Sequence, residues 1–316
     1  MKSLSLNNGT FKMKELTESI QEYYGLGQIT IQLIARKKSD IYVVQYQDKK
    51  YILKLYSINH RQLEEVNGEV ELINVLHAKG AKVSYPIKDL TGKQIQIFDT
   101  LKSNQYYAVL YSFAEGESSY NLTPKQLESV GQEMAVIHNV TAGLKLNYKR
   151  KDFSLESTLI EHFESLQTVF TGFQDHYTYL KGIIIQVLSR IQSQNLSKFG
   201  YGYCHCDFLP DNFHFDESGS ITVFDFDLAS KGYLIYDLVS FHNHFFMQQI
   251  FNNITPEDAH EDFSLFLRSY NEIRKISQVE IQSIAWFGFV FWMFGIGFNI
   301  SITAPNFDRI LEEKIL

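Results

Sequence analysis

Two short runs hold the residues with the clearest chemistry. The first is Cys204-His205-Cys206-Asp207-Phe208-Leu209-Pro210-Asp211-Asn212, and the second is Val223-Phe224-Asp225-Phe226-Asp227. Between them they place an Asp, an Asn five residues on, and a second Asp eighteen residues after the first. Phosphoryl transfer from a nucleotide asks little covalent chemistry of a protein. It needs a carboxylate near the attacking hydroxyl and oxygen ligands that hold Mg²⁺ on the phosphates. Asp207 suits the first task, and Asn212 and Asp225 suit the second. Asp216-Glu217-Ser218-Gly219 reads as a turn and Ile221-Thr222-Val223-Phe224 as a strand. A loop and a strand end would then deliver Asn212 and Asp225 to one point. The plainer alternative is a helix cap at Asp207 and a turn at Asp225.

Other elements must supply the cation. Gln28 to Ala35, Ile41 to Gln47 and Lys50 to Tyr56 read as strands, with Asp48-Lys49 turning the chain. By the period of two, Tyr51, Leu53 and Leu55 share one face of the last strand, and Ile52, Lys54 and Tyr56 share the other. Lys54 is a cation in an otherwise apolar strand. It is either a solvated edge lysine or the group that holds the α- and β-phosphates, paired with a Glu on the next helix. That helix is expected over Asn59 to Lys79, ending at Gly80. It offers Glu64, Glu65, Glu69 and Glu71.

His-x-Asp-x4-Asn followed by Asp-Phe-Asp resembles the aminoglycoside phosphotransferase and choline kinase-like family of small-molecule kinases. The resemblance is strongest over 204–238 and moderate over 42–116, and a stretch around Tyr270 and Asn271 is similar to its homoserine kinase-like branch. It implies an α+β, two-lobed protein-kinase-like fold. The N-terminal lobe (1–115) would be an antiparallel sheet with one helix that binds ATP. The larger, mainly helical C-terminal lobe (116–316) would hold the substrate. Among the four glutamates the resemblance favours Glu69. It also implies that Ser112 and Ala114 offer a backbone carbonyl and N–H to the adenine edge, and that His205 supports the loop backbone. The loop Arg36-Lys37-Lys38-Ser39-Asp40, in the position of a phosphate-covering loop, lacks the protein-kinase glycine pattern, as members of this family often do, and Cys206 departs from the family's pattern by standing where glycine is usual. A β-carbon there restricts the backbone. Asp227 is open to three roles: binding a second metal, tuning Asp225 or facing the substrate.

Composition bounds the rest. A chain of 316 residues suggests two lobes rather than one core. Cys204 and Cys206 are the only cysteines. As alternate residues of a strand they would point apart, which argues against a disulfide and for a reducing, cytoplasmic setting. A tetrahedral zinc site would lack ligands. Residues 1–115 carry 15 Lys/Arg against 12 Asp/Glu, and residues 116–316 carry 14 against 24. An acidic second half disfavours nucleic acid and suits a cationic small molecule. Thr123-Pro124-Lys125-Gln126 marks a capped helix start. His138 reads as scaffold, His242 and His244 as scaffold or pocket lining, and Asp237 as a cap opening the helix at Tyr236-Asp237-Leu238. Ile284 to Phe298 is uncharged but shorter than a membrane span. With Ser277 and Glu280 capping its start, it reads as a buried helix, not a membrane anchor. The expected activity is transfer of the γ-phosphate of MgATP to a hydroxyl of a small amine-bearing molecule. A binding-only nucleotide module and a protein Ser/Thr kinase are the alternatives.

Overall fold

Alternating apolar residues from Thr30 onward form three consecutive antiparallel strands, as their period of two requires. A computed structural model describes residues 2–4, 6–7, 10–36, 39–100 and 105–303. In chain order the main elements are β1 (Lys2–Leu4), α1 (Met13–Tyr24), β2 (Thr30–Arg36), β3 (Ser39–Tyr46), β4 (Lys49–Ser57), α2 (Leu63–Ala78), β5 (Ile95–Thr100) and β6 (Gln105–Ser112). Then follow α3 (Pro124–Thr141), β7 (Asp152–Phe153), α4 (Glu161–Ser165), α5 (Gln174–Gln192), β8 (Tyr201–Cys204), β9 (Phe213–Phe215), β10 (Ile221–Val223), β11 (Ser230–Tyr233), α6 (Ile235–Ile250), α7 (Pro256–Ile273) and α8 (Gln278–Thr303). Residues 37 and 38 of the basic loop lie outside the described residues.

The chain divides into two compact units. The first is Met1–Tyr120 with Lys145–Arg150 and Asp211–Asp227, and the second is Asn121–Leu144, Lys151–Pro210 and Leu228–Leu316. The division is thus not a single cut near residue 115. Two later segments return to the first unit, and hydrogen bonding explains why. Phe215 and Glu117 exchange backbone bonds, and Val223 bonds to Lys82 and Ser84. Glu71 accepts the backbone N–H groups of Asn147 and Tyr148.

In the first unit a six-stranded sheet runs β1-β5-β6-β4-β3-β2, antiparallel except for β1 beside β5. Leu53 and Leu55 face a core with Phe11, Leu16, Ile20, Val44, Phe98 and Leu110. Leu16 and Ile20 belong to α1, a helix the sequence reading did not include, so this sheet has two helices with it rather than one. α2 starts later than expected, at Leu63, with a reciprocal capping box between Gln62 and Glu65. It ends as expected ahead of Gly80, whose φ is +87°.

In the second unit α3 and α7 cross closely. A Cβ at Gly131 would lie 2.5 Å from the carbonyl oxygen of Phe266. Thr123 and Gln126 cap α3 reciprocally, with Pro124 in its first turn, and Ser277 and Glu280 do the same for α8. β8, β11 and β7 form a small sheet. The fully buried Phe287 of α8 packs on Tyr233, Tyr236 and Phe199. Gln278–Gly297 is long and apolar enough to cross a membrane by composition, yet its Phe287, Val290 and Met293 are spent on this core.

Candidate active site

The hairpin β9–β10 explains how two distant residues meet. Phe213 pairs with Val223, so Asn212 and Phe224 sit side by side just beyond the ladder, and the Phe224 N–H donates to the Asn212 carbonyl at 2.9 Å. The hairpin turns where expected. The Asp216 carboxylate accepts the N–H groups of Ser218 and Ser220, an Asx-type closure. Asp225 follows with φ +63°, a left-handed backbone that an L-residue adopts at a cost of about 1–2 kcal/mol.

Lys54 is buried among carboxylates. Its Nζ lies 2.8 Å from Asp225, 3.6 Å from Glu69 and 3.6 Å from Asp227. Burial alone would strip its proton, but Asp225, Asp227 and Glu69 overcome that and hold its pKa well above the ordinary lysine value. Of the four candidate glutamates, Glu69 faces Lys54. Glu65 pairs with Arg61 at 3.3 Å and caps α2, and Glu71 holds the segment at residues 147–148. Glu69 is fixed in turn by the hydroxyl of Tyr56 at 2.9 Å, which bonds to Tyr111 at 3.0 Å. Burial first, then Glu69 and Asp227 at Tyr56, and Tyr56 and Glu69 at Tyr111, push both phenols well above their usual pKa.

Three groups here escaped the sequence reading. Arg61 Nη2 donates to the carboxylate of Asp227 at 2.7 Å and to its carbonyl at 3.0 Å. Arg150 donates to the carbonyls of Glu65, Phe226 and Asp227 at 2.8–3.0 Å. The two arginines clamp the turn after Asp225. Beside the three roles open to Asp227, the contacts show a fourth that was not foreseen, an ion-paired anchor. Burial would raise its pKa, but Lys54 and Arg61 hold it well below the usual carboxylate range. Arg61 had a weak signal, its four-residue spacing from Glu65, whereas Arg150 had none. The third group is His214, whose Nδ1 lies 2.8 Å from the Ala114 carbonyl and whose ring meets Phe224 edge-on.

Several of these residues border a cavity of about 590 Å³, within the range of small-molecule sites. Lys54, Glu69, Asn212 and Asp225 line its polar part, with Ile34, Ile41, Val43, Ile52 and Phe224 as apolar walls. Ala114 lines it as well. Ser112 does not, and its carbonyl accepts a hydrogen bond from Ser84, which does. Asp207 belongs to the second unit, where the N–H of Leu209 donates to its carbonyl at 2.9 Å.

The loop before Asp207 is held by Asp237. Its carboxylate accepts the N–H groups of His205 at 2.8 Å and Cys206 at 2.7 Å, and Nε2 of His138 at 3.0 Å. Nδ1 of His138 meets the Tyr270 hydroxyl at 2.8 Å, so this histidine is a scaffold residue. Asp237 therefore satisfies loop N–H groups rather than capping its own helix, whose cap position is Leu234. Cys206 has φ +63°. That conformation turns its sulfur back toward Cys204, and both sulfurs and the Asp237 carboxylate lie within 4.8 Å of one another. The two side chains do not point apart as strand alternation implied, because Cys206 is past the strand's end. Both are free thiols, and burial pushes Cys204 well above the usual thiol range. A protonated Cys204 thiol and a carboxylate already occupied by loop N–H groups do not suit zinc.

Residues 30–260 match the profile of the phosphotransferase enzyme family. The chain belongs to that family. Amicoumacin kinase of Bacillus subtilis (strain 168) is 25% identical over 222 residues, which is 68% of this chain and 63% of that protein. Among solved structures, amicoumacin kinase hAmiN in complex with AMP-PNP, Ca²⁺ and Ami has a TM-score of 0.73 at 19% identity, covering 90% of this chain and 85% of that one. The microcompartment-associated aminopropanol kinase has a TM-score of 0.69 at 17% identity, covering 90% and 89%. The α+β kinase-like fold implied by the sequence is the fold of these phosphotransferases.

Proposed function

We propose that this phosphotransferase moves the γ-phosphate of ATP, with Mg²⁺, to a hydroxyl of a small amine-bearing molecule, and that it works in the cytoplasm. The observation that carries the reading is the meeting of Lys54, Glu69, Asn212 and Asp225 at one end of an apolar-walled cavity. The donor set fits the metal: Asn212 and Asp225 offer hard oxygen ligands of the kind Mg²⁺ takes. Three buried cations, Lys54, Arg61 and Arg150, offset the carboxylates, so the site tolerates a polyanion. When bound, the metal would draw charge from the phosphate oxygens.

The chain's own residues do the rest. Lys54 directs its charge at the α- and β-phosphates, and Glu69, anchored by Tyr56, keeps the ammonium in place. Ala114 borders the base. Asp207 accepts or orients the proton of the acceptor hydroxyl. An amine on the acceptor is supported by the acidic second half of the chain and by one structural neighbour's being an aminopropanol kinase. Two free thiols suit a reducing compartment.

The test is ATP consumption with Mg²⁺ against amino alcohols, aminoglycosides and hydroxy amino acids, with Asp207→Asn beside the wild type. Turnover with one acceptor class, falling by about 10²–10⁴ in the variant while ATP still binds, is the expected result. Full activity of the variant would remove Asp207 from its role. ATP binding with no small acceptor would favour a protein substrate or a binding-only module.

A further inference from the structure

We propose that Ser84 sets the nucleobase preference of the cavity, selecting a 6-amino purine over a 6-oxo purine. The proposal rests on the nucleotide reading above and names a residue for it.

Ser84 is buried and lines the cavity. It is held from two sides. Its N–H donates to the Val223 carbonyl of the β9–β10 hairpin at 2.9 Å, and its hydroxyl donates to the Ser112 carbonyl at 2.6 Å. The next residue, Tyr85, exchanges hydrogen bonds with Ser112: its carbonyl accepts the Ser112 N–H at 2.8 Å, and its N–H donates to Ser112 Oγ at 2.9 Å. Ser84 thus stands at a junction of hairpin and sheet and has little freedom to turn.

A serine hydroxyl has one proton and two lone pairs. With that proton committed to Ser112, Oγ meets the cavity as an acceptor. Turning it toward a ligand would strip the Ser112 carbonyl of its donor, and leaving a buried polar group unmet is costly. The nearby Tyr111 does not offer an alternative, since its hydroxyl is engaged with Tyr56 and Glu69. An acceptor at this edge matches the N–H groups of a 6-amino purine and repels the oxygen of a 6-oxo purine.

The experiment is calorimetric titration of ADP and of GDP into the full chain, wild type, Ser84→Ala and Ser84→Thr, with thermal melts to verify folding. The wild type should prefer ADP. In Ser84→Ala the ADP affinity should fall by about three- to tenfold, the worth of one neutral hydrogen bond, while GDP binding holds or improves. Ser84→Thr, which keeps the hydroxyl, should retain the preference. An unchanged ADP-to-GDP ratio in folded Ser84→Ala overturns the assignment alone. Binding of neither nucleotide by the wild type overturns the nucleotide reading and the assignment with it.

Discussion

Asp227 stays ionised where burial alone would protonate it, because Arg61 and Lys54 face it. Removing that charge leaves Arg61 with Glu65 but without its closest carboxylate, and takes one carboxylate from the buried Lys54, so Asp227→Asn should destabilise the protein by about 3 kcal/mol in denaturant unfolding. The pH dependence follows in sign. A carboxyl whose folded pKa lies below the unfolded value of about 3.9 contributes fully above that value and loses its contribution as the pH falls below it. The gap between wild type and Asp227→Asn should therefore be constant from neutrality down to about pH 5 and close in stronger acid. A gap that widens in acid would show that Asp227 is not held ionised. At this scale much of the candidate site was legible. Lys54 was marked by being a lone cation in an apolar strand, and Asn212 and Asp225 by their spacing from Asp207. Arg150 and Ser84 were not legible, because a single arginine or serine in a polar stretch has no period and no motif to set it apart.

The β9–β10 hairpin is the element on which the meeting of Asn212 and Asp225 depends, and its docking rests on Gly116. That residue has φ +89°, and an added Cβ would lie 1.9 Å from the Phe215 carbonyl oxygen. Neither the backbone nor the contact tolerates a side chain, so Gly116→Ala should cost more than about 2 kcal/mol in chemical denaturation. A neutral substitution would mean that the hairpin docks without this close approach. The elements were readable to different degrees. Apolar β-type runs signalled β2, β3, β4 and β10, and Asp216–Gly219 signalled the turn before β10, whereas β9 was read as loop because three residues are too few to show a period. α1 was missed because its run of polar residues has only Leu16 and Ile20 as deeply buried apolar anchors, and the sheet against which they pack is assembled later in the chain.

The proposed nucleotide contacts all belong to the first unit, while the proposed general base belongs to the second. Hydrogen exchange with saturating ADP and Mg²⁺ should therefore slow chiefly within 30–120 and 211–227. Protection centred instead on α5 or α7 would place the nucleotide elsewhere. The imbalance of 14 basic against 24 acidic residues over 116–316 bears on the acceptor. If that surface steers a cationic acceptor, its KM should rise several-fold between about 0.05 and 0.5 M salt, since the Debye length shrinks well below 10 Å over that span. A KM for the acceptor independent of salt would leave the acidic half as ordinary solvated surface.

Local residue order determined the strand faces, the caps of α3 and α8, the candidate pair Asn212 and Asp225 and the family, because each depends on side chains a few positions apart. Tertiary structure decided which glutamate meets Lys54, which arginines hold the turn after Asp225, and that Asp237 supports the loop of Cys206 rather than its own helix. It also decided that residues 145–150 and 211–227 belong with the first unit. Those outcomes depend on backbone groups far apart in the chain finding their hydrogen-bond partners, and nothing in a one-dimensional pattern records which distant N–H or carbonyl will be left to satisfy.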